Sequence, residues 1–180
     1  MPVLAALRPS GHTWPPIISL SEAKGYSFAS GKADLTEPFT KLITSDVIPK
    51  LLSLTKEYDV DTIEVIGHTD EQKVTQRNSN LDWFILDVLS NKAKVDVLLP
   101  ADNAGLGIAR AVSVMQALKQ DGRLAGYSIL PLSGAQLIDT RDKITEGGGG
   151  DGRERRRIQI RLRRSNPIEG SSAAKNSGLQ

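Results

Sequence analysis

The chain contains no cysteine among its 180 residues, which excludes disulfides, thiolate metal ligands and cysteine nucleophiles. It also lacks any run of about 18 to 20 apolar residues, the length that a membrane-spanning helix requires. Histidine occurs only twice, and the sequence has neither the His-Glu-x-x-His pattern of zinc hydrolases nor the Gly-x-Ser-x-Gly pattern of serine hydrolases. We therefore expect no enzyme, no metal site and no cofactor.

The chain also has no large excess of basic or of acidic residues. The chain has 23 basic and 21 acidic residues and a formal net charge of +2, a balance that indicates no particular partner. Hydrophobic residues make up 39% and charged residues 24%, as is typical of a folded globular protein. A chain of this length has room for one ordinary domain with its own apolar core.

Composition divides the chain into three parts. Proline, glycine and serine are frequent at the start and predict a linker or lead-in over 1–24. The start has no basic leader before an apolar run, so we expect that an export signal or membrane anchor is absent from this chain. A domain is predicted over 25–164, with an insertion at about 71–102. Small polar residues predict a disordered tail over 165–180.

The first half of the domain has clear local patterns. A short strand is predicted at 26–28. A helix is expected after Thr36, where apolar residues recur at steps of three and four, with a kink or a restart at Pro49. The β-branched, mostly apolar segment 61–66 predicts a central strand that is covered on both faces.

The second half begins with the insertion, for which we predict a short helix at 81–89 and a short strand at 94–99. Helical spacing then extends from about Asn103 to Gln120, and a strand is expected at 127–130. Residues 134–152 include four successive glycines and predict a mobile loop. With the last strand described below, the predicted order is β-α-β-insert-α-β-loop-β, which favours helices packed against a sheet.

The last predicted strand carries many arginines. Apolar and charged residues alternate over 158–163, which predicts one apolar and one charged face. A basic cluster is also typical of nucleic-acid-binding surfaces, but no aromatic residue lies between these arginines to stack on bases. A solvent-exposed face on an edge strand, where charges discourage unwanted pairing, is the favoured interpretation. Nucleic acid is the weaker alternative.

Three phrases stand in order on these predicted elements. They read IEVIGHTD at 63–70, NxxLxxxRAxxV at 103–114 and RRIQI at 156–160. Any one of them is weakly specific, but together they resemble the OmpA-like peptidoglycan-binding domain, which also occurs in the flagellar stator protein MotB. The resemblance extends over about 26–164. It implies an α/β (α+β) fold in which helices pack on a mixed sheet in β-α-β-α-β-β order, with the insertion after the second strand.

The resemblance also implies a function, namely noncatalytic binding of the peptidoglycan stem peptide through its diaminopimelate. Asp70 would receive the ligand ammonium and Arg110 its carboxylate, a role that suits a planar guanidinium. Asn103 is expected to cap the second helix, where free amides favour an anion. Further contacts are expected from Thr69, His68, Asn103, Arg156 and Arg157. Such a domain would lie in the periplasm and anchor a membrane protein or complex to the cell wall.

The sequence departs from the family pattern at three places. The insertion separates Asp70 from Arg110 by more residues than the family usually has. Gly107 stands where the family often has serine, and Arg155 where it has asparagine. These changes affect the rim of the pocket and leave both charged residues present.

Other interpretations remain open. Taken alone, Asp70 is typical of a turn and Arg110 of a solvated helix surface. The insertion could cover the pocket, in which case the chain would be an interaction or assembly module of a stator-like membrane complex, or a homodimer, with the fold but without the ligand.

Overall fold

The computed structural model describes residues 14–29, 31–75, 78–148 and 152–165. They form a four-stranded mixed sheet in the order β1-β4-β2-β3. β2 is parallel to β3 and antiparallel to β4, and β1 is antiparallel to β4. The strands are β1 (Ile18–Ser21), β2 (Thr62–His68), β3 (Ser128–Ala135) and β4 (Arg157–Arg163).

Five α-helices accompany this sheet in the described residues. They are α1 (Glu37–Leu42), α2 (Ile48–Glu57), α3 (Leu81–Leu89), α4 (Asn103–Lys119) and α5 (Gly152–Arg155). In the same residues, no helix has both the length and the apolar character needed to cross a bilayer. The predicted α/β architecture, with helices on a mixed sheet, is confirmed.

α1 and α2 form where apolar spacing predicted one interrupted helix. Thr36 caps the first turn, since its Oγ1 accepts a hydrogen bond from the backbone N–H of Phe39 at 3.3 Å. A π-helical turn at Ile43–Val47 separates the two helices, and Pro49 lies in the first turn of α2. Proline has no N–H to donate to the preceding turn, so the ladder is interrupted there. The helix does not restart at this proline, since its backbone stays right-handed helical through the π-helical turn before it.

A single apolar core lies between the helices and one face of the sheet. Alternate residues of β2 and β4 point into it, and α1, α2 and α4 supply the opposite side. Fully buried members of this core are Phe39, Leu51, Ile63, Val65, Met115, Leu118, Ile158 and Ile160.

The sheet begins earlier in the chain than composition predicted. The interpretation of 1–24 as a lead-in is wrong for its last residues, because β1 pairs with β4 and Ile18 stands opposite Ile160. Ile18 and Leu20 are buried, and that burial outweighs the loop-favouring prolines before them. The strand predicted at 26–28 is reduced to one isolated bridge. Residues 1–13 and the predicted tail over 166–180 lie outside the described residues.

The insertion contains the predicted helix as α3, but the strand predicted at 94–99 is wrong. Val95–Val97 form a 3-10 turn instead. The Asn80 side chain hydrogen-bonds the backbone that follows this turn. Its Nδ2 donates to Val97 O at 2.8 Å, and its Oδ1 accepts from Leu99 N at 2.7 Å. One amide side chain thus satisfies the groups that a neighbouring strand would have paired.

β4 lies inside the sheet, so the interpretation as an edge strand is wrong, and its charged face is exposed only toward the end, at Arg163. Arg157 and Gln159 on that face are buried. The segment 136–145, held by an isolated bridge between Ile138 and Ile144, lies over them. Arg157 Nη2 donates to Asp139 O at 2.8 Å. The described part of the predicted mobile loop is therefore fixed to the sheet, and 149–151 lie outside the described residues.

Candidate functional site

A cavity of about 770 Å³ opens beyond the end of β2, next to the N-terminal half of α4 and the insertion. It brings together five of the seven residues that the sequence predicted as ligand contacts. They are Thr69, Asp70, Asn103, Arg110 and Arg156.

Two glycines let β2 and α4 approach closely enough to place these residues together. A Cβ atom on Gly67 would lie 2.0 Å from Gly107 O, and a Cβ atom on Gly107 would lie 2.8 Å from Gly67 O. Asp70 follows Gly67 at the strand end, and Arg110 follows Gly107 by about one helical turn. The departure from serine at Gly107 is therefore explained by packing, because a side chain there would also meet Ser133 Oγ at 2.3 Å.

Asp70 is bound on both carboxylate oxygens. Oδ1 accepts the backbone N–H of Gln72 at 3.1 Å, and Oδ2 accepts a hydrogen bond from Arg156 Nη1. Arg156 Nε donates to Glu22, so one guanidinium bridges two carboxylates. The hydrogen bond to Glu22, and then the one to Asp70, raise the pKa of Arg156. A carboxylate has about four lone-pair sites, so Asp70 retains room for another donor.

Arg110 is a buried cation that forms no ion pair in the described residues. Only 4% of its surface is exposed, its Nε donates to Lys32 O at 3.0 Å, and its Cζ lies 4.9 Å from the ring centre of Phe28. Burial lowers the pKa of Arg110 to about 10, although Asp70 and Glu22 act in the opposite direction. Arg110 is charged at neutral pH, and an anion entering the cavity would reduce the cost of burying that charge.

The cap of α4 is Asp102 rather than Asn103, so that prediction is wrong. Asp102 Oδ1 accepts the N–H of Gly105 at 2.7 Å. Asn103 is the first helical residue, and its Nδ2 donates to Gln72 O at 2.9 Å. Asn103 thereby ties the start of the insertion to the helix that carries Arg110.

His68 and Arg157 lie on the other face of the sheet, so their predicted place in the pocket is wrong. They are opposite each other in the β2–β4 register, and the His68 ring hydrogen-bonds Gln159 Oε1 through Nε2 at 3.0 Å. β2 ends at His68, so strand alternation does not continue to Asp70. Burial, followed by the charge of Arg157, lowers the pKa of His68 to about 4.

The sequence predicted no role in the site for two further residues of this region, Glu22 and Arg155. Glu22 lies in the segment predicted as a lead-in, and the alternation of Ile18 and Leu20 is the signal that would have extended the sheet toward it. Arg155 donates to Glu71 Oε1 at 2.7 Å and to Gln136 O at 2.5 Å. Arg155, which stands where the family has asparagine, therefore joins the insertion to the segment 136–145.

The charges at the cavity balance, with carboxylates on Glu22 and Asp70 and guanidiniums on Arg110 and Arg156. A ligand group that carries one ammonium and one carboxylate would enter without adding net charge. Across the ranges that the structure describes, no cluster of three or more metal-ligating side chains is present. The arrangement is suited to holding a zwitterion.

No family model and no curated protein matches the chain. Among solved structures, a MotB-like protein from Desulfovibrio vulgaris matches with a TM-score of 0.50 and 17% identity, over 85% of this chain and 76% of that one. The periplasmic domain of Helicobacter pylori MotB matches with a TM-score of 0.48 and 13% identity, over 83% and 76%. The peptidoglycan-associated lipoprotein from Burkholderia pseudomallei matches with a TM-score of 0.44 and 15% identity, over 81% and 89%. At 17% identity the match to the Desulfovibrio protein concerns the fold alone, and the chain has the OmpA-like, MotB-like α/β fold that the resemblance of its three phrases implies.

Proposed function

We propose that this domain binds peptidoglycan without catalysis, by holding the zwitterionic end of diaminopimelate between Asp70 and Arg110. One observation supports this most directly: Arg110, buried and without an ion pair in the described residues, lines the same cavity as Asp70. In this proposal the domain works in the periplasm and attaches a membrane protein or complex to the cell wall.

The two ends of the ligand group have separate partners. The ammonium donates to lone pairs that Asp70 has left, and it competes with Arg156 for the negative charge of that carboxylate. The carboxylate takes the terminal nitrogens of Arg110, whose geometry allows two parallel hydrogen bonds. A lysine side chain carries the ammonium without the carboxylate, so it would leave Arg110 without a counterion.

Sedimentation with diaminopimelate-containing sacculi tests this proposal. Asp70→Asn and Arg110→Gln each remove a charge-assisted contact of about 1.5 to 3 kcal/mol, so each is expected to weaken binding by about 10-fold or more. Arg123→Gln is the matched control, because that guanidinium is exposed and does not line the cavity. Free meso-diaminopimelate should compete, whereas Nα-acetyl-lysine amide, which has a side-chain ammonium and no carboxylate, should not. Unchanged pelleting by both folded variants would refute the proposal.

A second candidate function, self-assembly through the insertion, is favoured by the outer face of α3. Trp83 and Leu86 lie three residues apart on this helix and are 80% and 72% exposed. Two copies of α3 packed antiparallel would cover these side chains in a two-fold interface.

Light scattering at increasing protein concentration distinguishes this candidate. A dimer that Trp83→Ser converts to a monomer, with sacculus binding intact, would support self-assembly as a separate property. A wild-type protein that stays monomeric at the highest concentration would exclude it.

A further inference from the structure

The insertion supplies a second wall of the cavity. This wall is mainly apolar, unlike the side of the cavity that carries Asp70 and Arg110. We propose that this wall recognises the peptide residue next to diaminopimelate, so that the ligand is a peptide of at least two residues. The inference rests on the proposed function and specifies its substrate. The cavity of about 770 Å³ has the size of a site for a whole small ligand. The zwitterionic end of one amino acid would fill only part of it.

Both ends of the insertion contribute to this wall. Val74, Val95, Leu98 and Leu99 give it an apolar surface, and Lys73 and Asp96 add one charge of each sign. Aliphatic groups of a peptide would pack against the apolar residues, and Asp96 would accept a hydrogen bond from a peptide N–H.

Hydrogen bonds hold the wall in place without a ligand. Asn103 fixes its first part through Gln72 O at 2.9 Å, and Asn80 fixes its second part through Leu99 N at 2.7 Å. Gln116 on α4 donates to Val88 O at 2.7 Å, which attaches α3 to the core. A wall that is ordered in advance costs less entropy when the ligand binds.

Lys73 gives the wall its specificity. Its ammonium forms no hydrogen bond or ion pair in the described residues, so it is available to a carboxylate. In a stem tripeptide, the γ-linked glutamyl residue before diaminopimelate keeps its α-carboxylate free. That carboxylate is the group assigned to Lys73.

Calorimetric titrations with free meso-diaminopimelate and with the tripeptide alanyl-γ-glutamyl-diaminopimelate test the inference. The wild-type protein is expected to bind the tripeptide about 5-fold or more tightly than the free amino acid, from one exposed charge contact and partial apolar burial. Lys73→Ala and Leu99→Ser should each lose about 3-fold to 5-fold in tripeptide affinity without changing the affinity for free diaminopimelate. Both side chains are exposed, so folding should be retained.

Two controls separate the possible results. Lys92→Ala removes an exposed ammonium of the insertion that does not line the cavity, and it should behave as wild type. A tripeptide amidated at the glutamyl α-carboxylate should lose the part of the preference that Lys73 supplies. A wild-type protein that binds neither free meso-diaminopimelate nor the tripeptide would overturn the proposed function. Equal affinity for both ligands, or a preference that survives in Lys73→Ala and Leu99→Ser, would overturn only the second wall.

Discussion

Arg156 joins two carboxylates that lie far apart in the chain, those of Glu22 and Asp70. Gly152 makes the bridge possible, since a Cβ atom there would lie 2.6 Å from both Arg156 Nη1 and Asp70 Oδ2. Glu22 holds the same guanidinium from the opposite side. At the scale of single residues, the site is thus a chain of alternating charges, and an ammonium bound at Asp70 would compete with Arg156 for its charge.

Glu22→Gln tests this competition. Without Glu22, Arg156 interacts with Asp70 alone, so the ammonium of the ligand should compete less well and the affinity for free meso-diaminopimelate should fall about 3-fold to 10-fold. The loss of unfolding free energy should stay below about 1 kcal/mol, because the Glu22 side chain is partly exposed, at 24%.

Calorimetry and thermal unfolding measure the two quantities. Glu37→Gln is the control, since it breaks an exposed ion pair with Lys41 outside the cavity. An unchanged affinity in Glu22→Gln would show that Arg156 does not compete with the ligand.

At the scale of elements, the contact between β2 and α4 fixes the distance between Asp70 and Arg110. Gly67 and Gly107 face each other, and neither has room for a Cβ atom. The strand carries Asp70 and the helix carries Arg110, so any widening of this contact separates the two charges.

Gly107→Ala is therefore expected to destabilise the protein, against the usual effect of this change in a helix. Alanine in place of a helical glycine normally gains about 1 kcal/mol, but overpacking costs about 1 to 3 kcal/mol and the obstructing atoms here include backbone. We expect a net loss of about 1 to 2 kcal/mol and weaker binding of meso-diaminopimelate.

Urea unfolding and calorimetry on the same samples measure both effects. Gly122→Ala is the matched control, because nothing lies within 4 Å of the added Cβ atom. A Gly107→Ala variant that is more stable than wild type would contradict the close contact.

At the scale of the whole molecule, the face of the sheet away from the helices contains a buried titratable network. His68 is surrounded by Arg157, Gln159, Arg161 and Asp142, and its Nδ1 has no partner in the described residues. Burial of the ring, and then the charge of Arg157, explain why the pKa of His68 is lowered.

This network predicts acid sensitivity of folding. The pKa of His68 is about 4 in the folded protein and near 6.5 in the unfolded chain, so the unfolded chain takes up the proton first as pH falls. Stability should be complete above about pH 6.5 and should decrease by up to about 3 kcal/mol between pH 6.5 and 4.

Urea unfolding at several pH values in this range measures the effect. Carboxylates also titrate there, so the comparison is with His68→Gln, which keeps a side chain able to bind Gln159 and lacks the titration. The variant should show a shallower decrease, and an equal decrease in both proteins would exclude His68 as its source.

The sequence by itself determined the elements whose signals are local. The β-branched run of β2, the apolar spacing of α4, the interruption at Pro49 and the helix α3 were all predicted, because each depends on neighbouring residues within one or two turns. Asp70 and Arg110 were found through short phrases in the same elements. Their meeting in one cavity follows from the fold that those phrases indicated.

Only the tertiary structure decided which side chains face the cavity and which strands lie inside the sheet. β1 is four residues long and is held by its pairing with a strand from the far end of the chain, so its own sequence carried little signal. The same distant pairing brought Glu22 to Arg156, and pairing with Arg157 of β4 fixed the side of the sheet on which His68 lies. Face and partner depend on register between distant segments, which local hydrophobic patterns do not specify.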